Sequence, residues 1–532
     1  MSDSPPCVIF EDEHLLVVNK PASMNTHSPS PYAGEGIYEW LKHREPRWGQ
    51  LAIIHRLDKE TSGVMVFGKT PLANKSLTEQ FTDHTIRKKY LFLTDRPMKQ
   101  GRFKVVSSIS RSGEKYLSKP LHAGGECAET HFQALEKIDH TQLVQAEPVT
   151  GRTHQIRVHA AAEGFPILGD ALYGGAPAPR VCLHAAELKL KDPATGKEVT
   201  FIAPADFTAD ARMALRRALI NARETDTFRV VHGATDGWPA WYVERFGDFL
   251  LSQSEKTLAD SQSKELSRLM KLLGARGIYH KNLTRQVQKT SAAEASPQLV
   301  HGEAANGPVI IHENGAKFEL SFSEGYSVGL FLDQRDNRRR FLVNHIAADF
   351  PLFSNGAKGA EMLNTFAYTC GFSVCAALAG ARTTSLDLSK KYLEWGKRNF
   401  ALNGLDPAAH DFIFGDAFDW MRRLAKKGRA FDAIVLDPPT FSQSKEGGAF
   451  QAEKDYGRLA SAALPLLKPG GVLFASTNAA RLEPEKFLEI LAGAVKSAKR
   501  KITRQHYVPQ PSDFPISRDE PAYLKTVWLR ID

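Results

Sequence analysis

Residues 361–404, EMLNTFAYTCGFSVCAALAGARTTSLDLSKKYLEWGKRNFALNG, alternate short apolar runs with longer amphipathic ones. EMLNTF and TTSLDL have the length and composition of strands, whereas SVCAALAG and KKYLEWGKRNFALNG read as helices. The rhythm continues downstream. HDFIFGDA, FDAIVLD and GVLFAST are strand-like, and FDWMRRLAKK, YGRLASAALPLLK and EPEKFLEILAGAVKSAK are helical. Such alternation predicts a doubly wound, Rossmann-like parallel sheet with its ligand at the carboxyl ends of the strands. Residues 321–532 are assigned to this domain.

The turn after the first strand, NTFAYTCGFSV, holds one glycine, Gly371, where a dinucleotide fold would carry GxGxxG. A pyrophosphate needs close backbone approach at a helix N-terminus. S-adenosylmethionine has no phosphate and tolerates a looser turn. Asp387 ends the second strand, at the offset where an acidic residue accepts ribose hydroxyls. Asp416 ends the third and is placed for an adenine amino group. Singly, each reads equally well as a helix N-cap; at successive strand ends they outline a nucleoside pocket. The fourth strand runs into LDPPTFSQSK, where Asp437, Pro438 and Pro439 fix a rigid turn. Its carbonyls can accept hydrogen bonds from a planar base, and Phe441 can stack on that base.

Some 300 residues upstream lies a second constellation. IIHRLDKETSGVMVFGKT places His55, Arg56 and Asp58 after an apolar strand, at a tight turn. EPVTGRTHQIRVHAAAEGFPILGDALYGG, residues 147–175, opens a helix with Arg157 one turn beyond Thr153. Tyr90, in RKKYLFLT, shares a strand face with Phe92. An aspartate, a tyrosine and an arginine around one cleft suit metal-free chemistry at a base, with the arginine keeping the carboxylate ionised. His154 and His159 lack the i, i+4 spacing of a helical zinc pair and read as structural.

These segments, with DEHLLVVNKPASMNTHS and LHAAELKL, resemble the RluA-type pseudouridine synthases over about the first 200 residues. The resemblance implies a mixed-sheet domain over residues 1–208 that needs no cofactor. It implies Asp58 as the essential aspartate, Tyr90 as stacking residue and C5 proton acceptor, Arg157 as the partner of Asp58, and Arg56 as the residue entering the RNA as the uridine leaves it. Breaking N1–C1′, turning the uracil and rejoining it through C5 requires an extruded base. Whether Asp58 attacks the sugar or takes a proton from it stays open.

Between the two, TADARMALRRALINARE reads as a helical connector over 209–224. FRVVHGATDGWPAWYVERFGDFLLSQ reads as turn-linked strands, and TSAAEASPQLVHGEAANGP (290–308) reads as a loop. The first of these resembles the small β-rich domain that precedes the catalytic fold in cytosine-C5 rRNA methyltransferases, which implies such a domain over 225–320.

From Gly325 onward, GYSVGLFLDQRDNRRR, TTSLDLSKKYLEWGKRNFALNG and LDPPTFSQSK resemble the RlmI/RlmK-type 23S rRNA methyltransferases. The resemblance implies S-adenosylmethionine as methyl donor. Phe331, Asp333, Gln334 and Arg335 are then expected to shape its pocket, with Asn364, Phe366, Tyr368, Thr369 and Gly371 in the turn, Asp387 and Asp416 on the nucleoside, and Asp437 beside both donor and acceptor. Phe441 and Asn478 are expected on the RNA. The cytosine-C5 branch carries a cysteine after the next strand, because C5 needs a thiolate to add at C6. This chain has ASTNAARLEP there, with Ser476, Thr477 and Asn478 and no thiol. Guanine N7 has its own lone pair and needs only positioning, so N7 is favoured over C5.

The bulk properties agree. A chain of 532 residues exceeds one core, and a net charge of +9 suits a phosphate-rich partner. Five scattered cysteines form no CxxC pair, which argues against a structural zinc or disulfide framework and suits the cytoplasm. The N-terminal residues do not form a secretory signal, no apolar run spans a bilayer, and no metal or membrane partner is expected. The expected function is bifunctional RNA modification, with large-subunit rRNA preferred to tRNA as substrate. The rival is an RNA-binding assembly factor with one inactive site. Oligomeric state is not specified by these patterns.

Overall fold

A computed structural model describes residues 4–283, 296–324, 327–444 and 448–532, without the side chains of 443, 444, 448 and 449. Gly325 and residues 290–295 of the expected loop lie outside the described residues. The chain divides into two compact units. One takes in Met1–Ser28, Gly36–Trp40 and Gln50–Asn221, and the other Pro29–Glu35, Leu41–Gly49 and Ala222–Asp532.

The first unit is built on an eleven-stranded mixed sheet. Its middle is Leu15–Lys20, Ser62–Gly68, Leu183–Lys191, Arg87–Thr94 and Thr141–Pro148, hydrogen-bonded in that order. All seven residues of Ser62–Gly68 are buried, which matches the uninterrupted apolar run VMVF. Gly63 sits at φ +121°, and a Cβ there would lie 2.2 Å from the carbonyl oxygen of Ala185. Only glycine lets these two strands run side by side at this point. Tyr90 pairs with Ala185 on one side and Ala146 on the other, so it lies at the sheet centre. Helix Gln155–Ala162 follows the strand Thr141–Pro148. The connector helix, Ala211–Leu219, is capped by Asp210 and lies within the first unit.

The second unit holds three sheets named here. Five strands, Thr227–His232, Trp241–Phe246, Phe249–Ser254, Gly277–Asn282 and Gln298–Gly302, form the first, in chain order. The last of these falls inside the stretch expected to be a loop. All five of its residues, QLVHG, are exposed, and it is held by backbone pairing to Gly277–Asn282, which periodicity does not reveal. The second sheet is the hairpin Val309–Glu313 and Ala316–Leu320. The third has seven strands in the order Asp411–Phe414, Arg382–Asp387, Glu361–Thr365, Phe431–Leu436, Leu467–Thr477, Lys525–Ile531, Ile502–Val508. The first five are parallel, and Lys525–Ile531 is antiparallel to both its neighbours. The β-rich region expected at 225–320 therefore belongs to one unit with the α/β sheet.

Aromatic packing fills the space behind this sheet. Phe341, Phe372, Phe474 and Trp528 pack with ring centres 4.4–5.7 Å apart. Two buried ion pairs brace helix Arg335–Val343: Arg338 with Glu313, both bonds at 2.6 Å, and Arg335 with Asp513, at 2.6 and 2.9 Å. Removing one partner of such a pair costs about 3–5 kcal/mol, because the other charge stays buried.

Candidate active sites

In the first unit Asp58 follows the short strand Ala52–Ile53, and its side chain is 25% exposed. Arg157 comes up from the helix Gln155–Ala162 and is 4% exposed. Its Nη1 lies 3.5 Å from Asp58 Oδ2 and 3.4 Å from Glu60 Oε2. Its shortest bonds go elsewhere: Nε and Nη2 donate to Asp170 at 2.7 and 2.9 Å. Asp170 lies in the ILGDALYGG motif but did not stand out from its bland surroundings. The bidentate clamp fixes the guanidinium plane and leaves Nη1 for the two loop carboxylates.

Tyr90 is partly buried, and burial first, then the charge of Asp58, push its phenol well above its usual range. A phenol so held is a poor resting base, which favours stacking over proton acceptance. Arg56 is exposed at the rim. His55 accepts from the Val66 amide at 3.1 Å, stacks on Phe81, and is pushed down to about 3 by burial. It is structural. So is His159, held between Ser107 and Thr130 at 2.9 Å each. His154 is placed differently, with Nε2 4.0 Å from Asp58 Oδ2. Lys20 also escaped the sequence reading. Fully buried, it donates to the carbonyls of Pro21, Met24 and Lys59, which ties the Asp58 loop to the NKP turn. Burial pushes its ammonium down to about 7.

In the second unit the first strand of the seven-stranded sheet leads into a turn with three left-handed residues, Phe366, Tyr368 and Cys370, none of them glycine. Strain of this kind, about 1 kcal/mol or more per residue, persists where surrounding structure over-determines it. The amides of Tyr368 and Ser389 donate to the two oxygens of Asp387, both at 2.8 Å. The Thr369 hydroxyl donates to the Gly329 carbonyl, and Asn399 holds the Thr369 carbonyl. Gly371 begins helix Gly371–Leu378, with Arg338 and Leu330 close above its Cα.

Exposed Leu388 and Phe414 stand just past the second strand and at the end of the third, and Asp416 caps helix Ala417–Lys426 through the Asp419 amide. Asp416 thus does the work of an N-cap besides standing at the strand end. Exposed Phe331 packs 5.5 Å from the Tyr368 ring. A carboxylate, two apolar faces and an aromatic around a turn that lacks the glycine-rich phosphate motif fit a nucleoside bearing a sulfonium.

Two expected pocket residues face inward. Asn364 is 1% exposed and gives its amide to Ser373, and Arg335 is committed to Asp513. Their polar groups are spent on buried partners. Asp333, partly exposed, accepts from the partly exposed Tyr523 at 3.0 Å. Gln334 supports Asp437. Trp528 donates to Asn337, Asn337 to the Gln334 carbonyl at 2.8 Å, and Gln334 Nε2 faces both Asp437 oxygens at 3.3 Å. Burial pushes the Asp437 carboxyl up to about 6. Pro438 is buried, Pro439 is exposed, and Phe441 is 47% exposed. The Thr440 hydroxyl donates to Asn478 Oδ1 at 2.6 Å, so the two lips of the mouth are joined.

The cysteines of this unit are Cys370 and Cys375, both buried. Burial pushes the Cys370 thiol up to about 12 and the Cys375 thiol above its usual range. Among the described residues one trio, Glu35, His43 and His506, brings metal-ligating atoms within 4.8 Å of one another. There His43 is already engaged with Glu35 at 2.6 Å, and the Arg340 guanidinium lies 4.0 Å from Glu35. No helix among the described residues is long and apolar enough to cross a membrane.

Comparison with known proteins gives two family matches. Residues 14–162 match the RNA pseudouridylate synthase family, and residues 229–530 match the S-adenosylmethionine-dependent methyltransferase family. A ribosomal RNA large subunit methyltransferase of Deinococcus radiodurans is 32% identical over 335 residues, 61% of this chain and 78% of that one. Ribosomal RNA large subunit methyltransferase I of Shewanella denitrificans is 34% identical over 336 residues, 62% of this chain and 81% of that one. Among solved structures, SMU.776 complexed with SAH superposes with a TM-score of 0.50 at 25% identity, covering 64% of this chain and 86% of that one.

Proposed function

The chain belongs to the S-adenosylmethionine-dependent methyltransferase family and carries an RNA pseudouridylate synthase domain ahead of that region, and from this premise we propose that it modifies large-subunit ribosomal RNA twice, isomerising a uridine and methylating a guanine at N7. The names of its relatives support the choice of RNA.

In the first unit the extruded uracil stacks on Tyr90, and Asp58 acts at the ribose while Arg157 holds its far oxygen. The N1–C1′ bond breaks, a C5–C1′ bond forms, the C5 proton passes to water and N1 takes one from water. No cofactor enters this balance.

In the second unit S-adenosylmethionine supplies an electrophilic methyl group. The residues of the chain position it: Asp387 takes the ribose hydroxyls, and Leu388 and Phe414 flank the adenine. The acceptor lies on the Asp437–Pro438–Pro439 turn against Phe441. The observation that carries N7 over C5 is the placement of sulfur. Both thiols of this unit, Cys370 in the donor turn and Cys375 in the helix after it, are buried and held protonated, and of Ser476, Thr477 and Asn478 it is Asn478 that is exposed at the mouth. N7 attacks with its own lone pair, so no proton has to leave, and the ring becomes cationic. The Asp437 carboxylate is placed to stabilise that charge. With its oxygen engaged by Thr440, the exposed Asn478 keeps its amide N–H groups for a carbonyl such as guanine O6.

The test is nucleoside mass spectrometry on unmodified rRNA and tRNA treated with the full chain and deuterated S-adenosylmethionine, with Asp58→Asn in parallel. The expected result is pseudouridine that disappears in the variant and label on guanine in rRNA that persists. Label on cytosine overturns N7, modification of tRNA alone overturns the substrate, and absence of label with pseudouridine intact overturns the methyl-transfer reading.

A further inference from the structure

His154 caps the helix that carries Arg157, and it does so in a left-handed conformation, φ +56° and ψ +17°, without using its side chain as a cap. The side chain is spent on something else. Nδ1 lies 2.8 Å from the Tyr173 hydroxyl, and that hydroxyl accepts the Tyr116 amide N–H at 3.0 Å. The ring stands edge-on to both tyrosines, 5.4 Å from Tyr116 and 5.7 Å from Tyr173.

A phenol has one proton and two lone pairs, so once the Tyr116 amide has taken one lone pair the Tyr173 hydroxyl can either donate to Nδ1 or accept from it. The other ring nitrogen favours the first: Nε2 faces Asp58 Oδ2 at 4.0 Å, and a proton on Nε2 suits that acceptor while leaving Nδ1 to accept from Tyr173. The groups around the ring are Asp58, Glu60, Arg157, Asp170, Tyr116 and Tyr173, and burial outweighs the nearby carboxylates in keeping the imidazole neutral.

We propose that His154 is a positioning residue of the pseudouridine synthase site: as a neutral Nε2–H donor fixed by Tyr173, it joins Arg157 in holding Oδ2 of Asp58, so that Oδ1 is the oxygen that reacts. Both donors come from the first turn of one helix and its cap, and both face the same oxygen. At 4.0 and 3.5 Å these are approaches that close into hydrogen bonds once substrate is bound, and among the described residues no shorter donor is recorded on either oxygen of Asp58. The left-handed cap is what brings the imidazole round to that side.

This inference rests on Asp58 being the essential carboxylate, and the experiment separates the two. Pseudouridine formation by the full chain is followed on RNA under multiple and single turnover, with methyl transfer by the same samples as a control. Asp58→Asn is read first; full activity there would overturn the site itself. His154→Gln keeps a neutral N–H donor near the position of Nε2, whereas His154→Asn keeps the Tyr173 contact and loses the donor. The expected order is Gln within about threefold of the unaltered chain, and Asn and Ala lower in kcat by about 10- to 100-fold with KM unchanged, the loss typical of a misplaced reacting group. Wild-type kcat in Asn or Ala, or equal loss in Gln and Ala, overturns the proposal. Nitrogen-15 shifts of His154 in the unaltered chain read the tautomer directly, and a proton on Nδ1 overturns it whatever the variants do.

Discussion

At the scale of single residues, the two carboxylates chosen for chemistry sit in opposite settings. Asp58 is a quarter exposed beside the Arg157 guanidinium, whereas Asp437, also partly buried, has the uncharged Gln334 and Ser476 as its nearest polar company. Asp58→Asn is expected to abolish pseudouridine formation and leave methyl transfer unchanged, as read by nucleoside mass spectrometry on one sample. For Asp437 the expectation is a pH dependence. Its carboxyl is raised from an ordinary value near 3.8 to about 6, so the folded state binds an extra proton between those values. Its contribution to stability is present below pH 4 and lost as pH rises through 6. Asp437→Asn should therefore gain on the unaltered chain over that window, by about 1–3 kcal/mol at neutral pH, in denaturant titrations. Methyl transfer by the unaltered chain should climb through pH 6 as the carboxylate forms, and the variant should lose that limb.

At the scale of elements, the donor turn depends on the helix beneath it. Helix Lys390–Leu402 reaches the turn through Gly396, where a Cβ would lie 2.3 Å from the Cys370 sulfur and 2.9 Å from its Cβ. Gly396→Ala is expected to push the helix off the turn, destabilise the chain by about 1–3 kcal/mol and weaken S-adenosylmethionine binding, about tenfold by calorimetric titration. The alternation of strands and helices was legible in the sequence because strand and helix periods differ and each run is long enough to show its own. Asp387 was legible because a strand end fixes where its carboxylate stands. The left-handed turn was not, since Phe366, Tyr368 and Cys370 are poor choices locally and the turn is held through Tyr368 and Thr369 by Asp387, Gly329 and Asn399 from other segments. The interior fates of Asn364 and Arg335 were illegible for a similar reason: their partners, Ser373 and Asp513, are made neighbours only by the fold. His154 read as structural because spacing reports metals, whereas its role comes from Tyr173 and Tyr116.

At the scale of the molecule, the residues proposed for each reaction fall within one unit. Asp58, Tyr90, Arg157 and His154 all lie in the first, and Asp387, Asp437 and Asn478 all lie in the second. Asp387→Ala should then silence methyl transfer without slowing pseudouridine formation, the mirror image of Asp58→Asn. The excess of nine positive charges predicts that RNA affinity is largely electrostatic. Raising salt from about 50 to 200 mM should lower it by at least about tenfold for both reactions, in filter-binding or anisotropy titrations.

The position of Lys525–Ile531 between Leu467–Thr477 and Ile502–Val508 sets a timetable for biosynthesis. It is the last of the seven strands to be translated, yet it fills an interior place, with Val527, Trp528, Leu529 and Ile531 all fully buried. Until it emerges, the nascent methyltransferase presents Leu467–Thr477 as an unpaired apolar edge, the kind of template on which partly made chains aggregate. The strands of the first unit have all been translated well before then. A ribosome stalled shortly before residue 525 would carry a chain with its pseudouridine synthase strands complete and its methyltransferase sheet still open, and that second half is where chaperone demand should concentrate.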